Sequence, residues 1–320
     1  MSDIKPVKQA PVQGMSGLGG GPTSFLCVAS PIFIADPGQA VITNTSTTSW
    51  TVPDGVYSVS VVCIGAGGGQ DKPGGGGGAL AYGNDISVTP GASISVQVGA
   101  GTNTMYNGGS TYFNGSSVLQ AGGGGGGGAN SPGNVGGSAS GSALTAGFSG
   151  GDGGDAVACG VYGNGAGGGG GAGGYTGAGG AGGGTTSGST PKTGVIGTND
   201  AAGGGGSAWC SLWGGTSKTG GGGGGSGLLG TQGNASNSNP RTTAGSAGSF
   251  PGNYGNGKKG GDGQGNTNHN TDTPTGGSYG GGAGGKAAGG DSSIVSAQGA
   301  IRIMWPGDER SYPNTRVPDE

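Results

Sequence analysis

Runs of consecutive glycine constrain this chain more than any other feature. They lie at residues 74–78, 122–128, 167–171, 203–206 and 220–225. Ordering one residue costs about 1–2 kcal/mol of backbone entropy, and glycine costs more than average. A run of seven must therefore find strong compensation or stay disordered. Collagen is excluded because no strict Gly-X-Y period runs through the chain. A flexible linker would not interleave Trp, Tyr, Leu and Phe with the glycine. What remains is a bundle of polyglycine II helices. Each has three residues per turn and no internal hydrogen bonds, so its N–H and C=O groups point outward and must be satisfied by neighbours. Plain disorder of the runs is the competing expectation.

The glycine is unevenly spread. Residues 121–299 hold 69 of the 93 glycines, residues 1–120 hold 23 and the last 21 residues hold one. This divides the chain into an N-terminal arm (1–44), a β-domain (45–121, closed by 299–310), a glycine-rich polyglycine II module (122–298) and a C-terminal tail (311–320). Within the β-domain, Pro53-Asp54-Gly55 is a turn. Tyr57, Val59, Val61 and Cys63 alternate on one face, and Ala79 to Val88 is a weaker strand. Thr89-Pro90-Gly91-Ala92 is a second turn. Ile94, Val96 and Val98 then point one way, with Ser93, Ser95 and Gln97 opposite. Asn114-Gly115 between Tyr112-Phe113 and Val118-Leu119 signals a hairpin. Ile301, Ile303 and Trp305 form one more strand. It is too short to stand alone, so it is expected to pair with the earlier ones. No helical pattern occurs. The fold class expected is mostly β: a small antiparallel β-sandwich-like domain carrying an inserted polyglycine II bundle, with no α-helix.

Charge and cysteine usage exclude several functions. The net charge is −3, and Lys and Arg do not cluster beyond Lys258-Lys259, so no nucleic-acid partner is expected. Residues 25–35 are apolar but short and broken by Pro31. They are not read as a signal peptide, and no segment is long enough to insert in a membrane. Cys27, Cys63, Cys159 and Cys210 show no CxxC spacing and are too sparse for a disulfide scaffold. No cofactor is implied. The lone His269 has no partner suggested by spacing, and the carboxylates are scattered, so no enzyme is expected.

Candidate contact residues come from what stands out of the glycine. Trp209 and Trp213 sit between two runs, and Tyr254 and Tyr279 lie in later loops. Each is either a plug that covers the bundle or an aromatic contact for a receptor. Residues 150–158 match a calcium nonapeptide and make Asp152 and Asp155 a metal candidate, but the next nine residues do not repeat it. Residues 1–24 cannot bury enough surface to order alone. Their apolar members Ile4, Val7, Val12, Met15 and Leu18 are the candidates for attachment to a larger assembly.

Two segments carry a resemblance. One is Ser49-Trp50-Thr51-Val52-Pro53-Asp54-Gly55-Val56, and the other is Gly299-Ala300-Ile301-Arg302-Ile303-Met304-Trp305-Pro306-Gly307. Together they resemble the glycine-rich domain of tail-fibre and appendage proteins of tailed phages, over residues 45–310. The interior is similar in kind to the glycine-rich adhesins at the fibre tips of T-even-like phages, which fold as polyglycine II bundles and recognise outer-membrane proteins through loops. The resemblance implies a virion component assembled in the host cytoplasm. Residues 1–24 would join it to other tail proteins, a bacterial surface receptor would be the target, and the chain could assemble as a trimer. A glycine-rich structural or ice-binding surface protein is the alternative from another class. A fibre-borne hydrolase is a third.

Overall fold

The computed structural model describes residues 35–69, 71–103, 105–126, 134–156, 165–184, 209–210, 220–228, 275–285 and 295–313. Two five-stranded antiparallel sheets stand at its centre, and no helix occurs among the described residues. The first sheet runs β1 (Gly38–Ile42), β12 (Ala300–Trp305), β3 (Ser58–Ile64), β4 (Leu80–Ser87), β9 (Ala146–Phe148). The second runs β2 (Ser49–Thr51), β5 (Ser93–Gln97), β6 (Thr111–Phe113), β7 (Leu119–Ala121), β8 (Ala139–Ser140). A further short pair joins β10 (Gly165–Ala166) to β11 (Trp209–Cys210).

The alternation seen in the sequence builds the space between the two sheets. Val59, Val61, Cys63, Ile301 and Ile303 from the first sheet meet Ile94, Val96, Phe113 and Leu119 from the second in one buried cluster. The expected turns hold. Val56 N–H returns to the Pro53 carbonyl, and Ala92 N–H to that of Thr89. Asn114 and Gly115 take φ of 55° and 90°, the left-handed values a tight hairpin requires. Tyr57 departs from the expected face. It lies one residue before β3 begins and is 56 % exposed.

The closing strand does not merely cap the sheet. β12 lies between β1 and β3, with Ile301 opposite Cys63 and Ile303 opposite both Val61 and Ala40. Three boundaries therefore differ from those read in the sequence. Gly38–Ile42 belongs to the first sheet rather than to an arm ending at 44. Tyr312 is buried rather than part of a tail. The glycine module is interleaved with the sheets rather than inserted after them: residues 65–69 and 74–79 are two of its runs and form the β3–β4 connection, while β8 and β9 come from within 122–298.

The run at 74–79 shows how the glycines order. N–H groups of residues 74 and 77 donate to carbonyls of 154 and 151. Those of 75 and 78 donate to 283 and 280, and those of 76 and 79 to 125 and 122. Every third residue addresses the same neighbour, which is the signature of a helix with three residues per turn. The carbonyls obey the same rule. Those of 75 and 78 accept from 170 and 173, and those of 76 and 79 from 68 and 65. The carbonyl of 77 accepts from the Gly137 N–H, and that of 74 from the Asn134 side-chain amide. Six strands of chain thus surround one glycine run, each bonded to it through backbone groups. The run at 167–174 repeats the pattern, donating to 72–78, to 177–183 and to 221–224. This is a polyglycine II lattice.

Alanine fits at a few positions, such as Ala79 and Ala172, but most positions admit only glycine. A Cβ on Gly77 would lie 2.0 Å from the Gly171 carbonyl oxygen, and one on Gly223 would lie 2.0 Å from that of Gly170. The lattice thus has a core of backbone hydrogen bonds, and the sandwich beside it has a core of side chains.

Candidate functional site

The direction of each run sorts the lattice into two ends. Runs beginning at 65, 122 and 150 leave β3, β7 and β9, and runs ending at 79, 138 and 299 enter β4, β8 and β12. Those ends lie beside the sandwich. From the register 74↔154, 75↔283, 76↔125 and 167↔72, the opposite ends of the same runs share the far level. The chain leaves the described lattice at 126, 156, 184 and 285 and re-enters at 134, 165, 220, 275 and 295, at staggered levels away from the strand ends. Residue 228 is the exception: its carbonyl receives Arg302 of β12, so the chain departs there beside the sheet.

Exposed apolar side chains stand on the lattice away from the strand ends. Tyr106 (73 %), Val135 (71 %), Met105 (53 %) and Val295 (42 %) are four of the six exposed large hydrophobics among the described residues. Three of the four have their backbone carbonyls bonded into the lattice. The Tyr106 carbonyl accepts from Gly69 N–H, that of Val135 from Gly125 N–H, and that of Val295 from Gly276 N–H. The 122–126 run thus has Tyr106 on one side and Val135 on the other. Side chains held outward on so rigid a base lose little entropy when they bind. Sequence reasoning missed all four. The signal available was an apolar residue within a turn-rich stretch, as in Met105-Tyr106-Asn107, and nothing local separates such a residue from a plug.

The aromatic candidates fall in different places. Trp209 lies in β11, whose backbone pairs with Ala166 near the far end. Trp213, Tyr254 and the arm residues Ile4, Val7, Val12, Met15 and Leu18 lie outside the described residues. Tyr279 is corrected: it is buried against the outer face of the first sheet and is no exposed contact. It packs there with Val62, Ile64, Leu80, Tyr175 and Leu228 because alternate residues of β3, β4 and β12 present an apolar second face that the lattice must cover. Asp152 and Asp155 are exposed, and the Asp152 carboxylate accepts from the Gly136 N–H at 2.8 Å. No group of three or more His, Cys, Asp or Glu residues gathers among the described residues; the Asp152 carboxylate is tied to the lattice through the Gly136 N–H.

The sandwich-side end holds the one charged side chain that is buried among the described residues, Arg302. Its Nε donates to Gln39 Oε1 at 2.8 Å and its Nη1 to the Leu228 carbonyl at 2.9 Å. Tyr312 lies in the same cluster, its ring centroid 5.7 Å from that of Tyr175 and 5.9 Å from that of Tyr82. The Asn84 side chain holds the Tyr312 backbone through two 2.8 Å bonds. Burial pushes the Tyr312 hydroxyl pKa up, and the positive charge of Arg302 opposes that rise. Burial likewise pushes up the Cys63 thiol between the sheets. Among the described residues, no helix is long and apolar enough to cross a membrane.

A sandwich whose connections fold into a backbone-bonded glycine lattice defines a glycine-rich domain. The glycine-rich domain family model matches residues 42–264, and the chain belongs to that family. Comparison with curated proteins finds no match.

Proposed function

We propose that this chain is a structural and binding component of a tailed-phage particle, a tail fibre or receptor-binding appendage. It joins other tail proteins through residues 1–24, presents the outward side chains of its lattice to a bacterial surface receptor, and performs no catalysis. The resemblance of the leader and closing segments to tailed-phage appendage proteins supports this reading, and membership of the glycine-rich family is compatible with it. The observation that carries it is the set of exposed apolar side chains held on a rigid, backbone-bonded scaffold, with the chain leaving that scaffold at several points away from the sheets. A lattice stabilised by backbone bonds tolerates any loop sequence at its ends, which suits a surface that must change with its target.

The test is adsorption. Particles carrying Tyr106→Ala with Val135→Ala should adsorb to host cells at least tenfold more slowly, while the purified variant keeps the wild-type melting temperature. Deleting residues 1–24 should leave a folded protein that no longer joins particles. Wild-type adsorption by the double variant would reject these side chains as the contact, and normal incorporation of the truncated chain would reject the arm as the attachment. Thermal hysteresis in the purified protein would instead favour an ice-binding surface protein.

A further inference from the structure

We propose that Asn114, at the tip of the β6–β7 hairpin, is a site of spontaneous deamidation, converted through a succinimide to isoaspartate and aspartate with water as the co-reactant. Two Asn-Gly pairs lie wholly among the described residues, Asn107-Gly108 and Asn114-Gly115. Glycine after asparagine favours this reaction, because no side chain shields the attacking backbone nitrogen. The two pairs share that chemistry, and the fold treats them differently. At the first pair, the Gly108 N–H donates to the Gly124 carbonyl at 2.9 Å, and Asn107 Oδ1 accepts from the Gly126 N–H at 2.9 Å. Nucleophile and electrophile are each tied to the 122–126 run. At the second pair, neither the Asn114 side-chain amide nor the Gly115 N–H has a hydrogen-bond partner. The Asn114 side chain is exposed, and nothing lies within 4 Å of where a Cβ on Gly115 would stand.

The reaction balances without a cofactor or an oxidant. The Gly115 nitrogen gives its proton to solvent and bonds to Asn114 Cγ. The Cγ–Nδ2 bond breaks, and the side-chain amide takes up a proton and leaves as ammonia. Water then opens the five-membered imide. Addition at Cγ gives aspartate, and addition at the Asn114 backbone carbonyl carbon gives isoaspartate, in which the main chain runs through the side chain. One water enters for each ammonia released. At Asn107-Gly108 the same attack must first break two hydrogen bonds inside the lattice, so it waits on local opening. At Asn114-Gly115 it needs a rotation of the Asn114 backbone and side chain that no bond to either reacting group resists. The place of the hairpin gives the change its weight. Phe113 lies opposite Leu119, and both are fully buried between the sheets. The turn that joins them depends on φ of 55° and 90° at these two residues. Isoaspartate adds a backbone atom and a negative charge there, and the lengthened loop pulls on two core side chains.

The experiment incubates the full chain in mildly alkaline buffer, folded and in urea, and digests samples with chymotrypsin. Cleavage after Tyr106, Tyr112, Phe113 and Leu119 puts the two sites on separate peptides, 107–112 and 114–119. Mass spectrometry then reads the loss of amide in each. In the folded protein Asn114 should convert at least about tenfold faster than Asn107. In urea the two rates should be similar, because the bonds that shield Asn107 are gone. Folded chain carrying the product should melt on the order of 5 °C lower than fresh protein. Asn114→Gly accepts the same backbone conformation and cannot form the imide, so it should hold its starting midpoint through the incubation. Equal conversion of the two sites in the folded chain, no conversion of Asn114 where the urea-treated chain converts, or the same loss of midpoint in Asn114→Gly would each overturn the proposal.

Discussion

Replacing Gly77 with alanine tests whether glycine here packs or merely bends. Gly77 lies in the run with six neighbours. Its N–H donates to Gly151 at 2.9 Å, and its carbonyl accepts from Gly137 at 2.8 Å. Its new Cβ would lie 2.0 Å from the Gly171 oxygen and 2.5 Å from the Gly171 carbon, where ordinary contact begins at 3.4 Å. Both atoms are backbone, so no side chain can rotate away. The runs at 74–79 and 167–174 must part by about 1.4 Å at that point, taking N···O distances well beyond hydrogen-bond range. The bonds Gly170 N–H to Gly75 and Gly173 N–H to Gly78, both 2.9 Å, flank the clash and would break. Two buried pairs left unsatisfied cost about 1–3 kcal/mol each, so the loss should be about 2–6 kcal/mol. That is a large part of a typical folding free energy of about 5–15 kcal/mol. Gly184→Ala is the control: its Cβ approaches nothing closer than 3.3 Å. It should be neutral or stabilise by a few tenths of a kcal/mol, through the smaller entropy of the unfolded chain. Urea denaturation of both variants, with amide exchange at residues 75–79, reads the difference. If Gly77→Ala falls within about 0.5 kcal/mol of Gly184→Ala, the lattice is not what orders these residues.

Ile303 is fully buried between the sheets, so Ile303→Ala should cost about 2–5 kcal/mol by denaturant titration. An effect below 1 kcal/mol would mean the sandwich core is not formed as described. Cys63 and Tyr312 have folded pKa values raised by burial from ordinary values of 9.0 and 10.0. The folded state keeps those protons while the unfolded state releases them. Stability is therefore full below pH 9 and falls as pH rises through 9 and then 10. Thermal melts from pH 7 to 11 should show this decline, and Cys63→Ala should flatten its first part; an unchanged slope would contradict the burial of the thiol.

The pieces legible in the sequence were those set by local chemistry. Ile94, Val96 and Val98 alternate because one strand face is buried. Asn114-Gly115 marks its hairpin because few residues accept positive φ. Ile301–Trp305 could be assigned to the sheet because a lone strand is unstable. The glycine runs pointed to polyglycine II, with disorder as the alternative, because packed runs can satisfy one another's backbone groups without side chains. Gly38–Ile42 was missed, since its strand character comes from lying against β12 rather than from its own short pattern.

Tertiary structure alone decided the rest. Every run offers the same N–H and C=O groups, so composition cannot say that residues 74–79 are surrounded by six neighbours while 177–184 stand at the side of the lattice. That choice follows from where β3, β4, β7, β8, β9 and β12 place the ends of each run, and those strands are chosen by long-range pairing. It also separates Tyr279, pressed on the sheet, from Tyr106, held outward on the lattice. Both are tyrosines close to glycine in sequence, at Gly108 and Gly280, and only their place in the tertiary structure tells them apart. Arg302 shows the same division. The sequence places it in a strand between two isoleucines, facing away from them, which would ordinarily mean solvent. The lattice folds over that face and turns an expected surface charge into a buried one, because the second side of the sheet is apolar and must be covered.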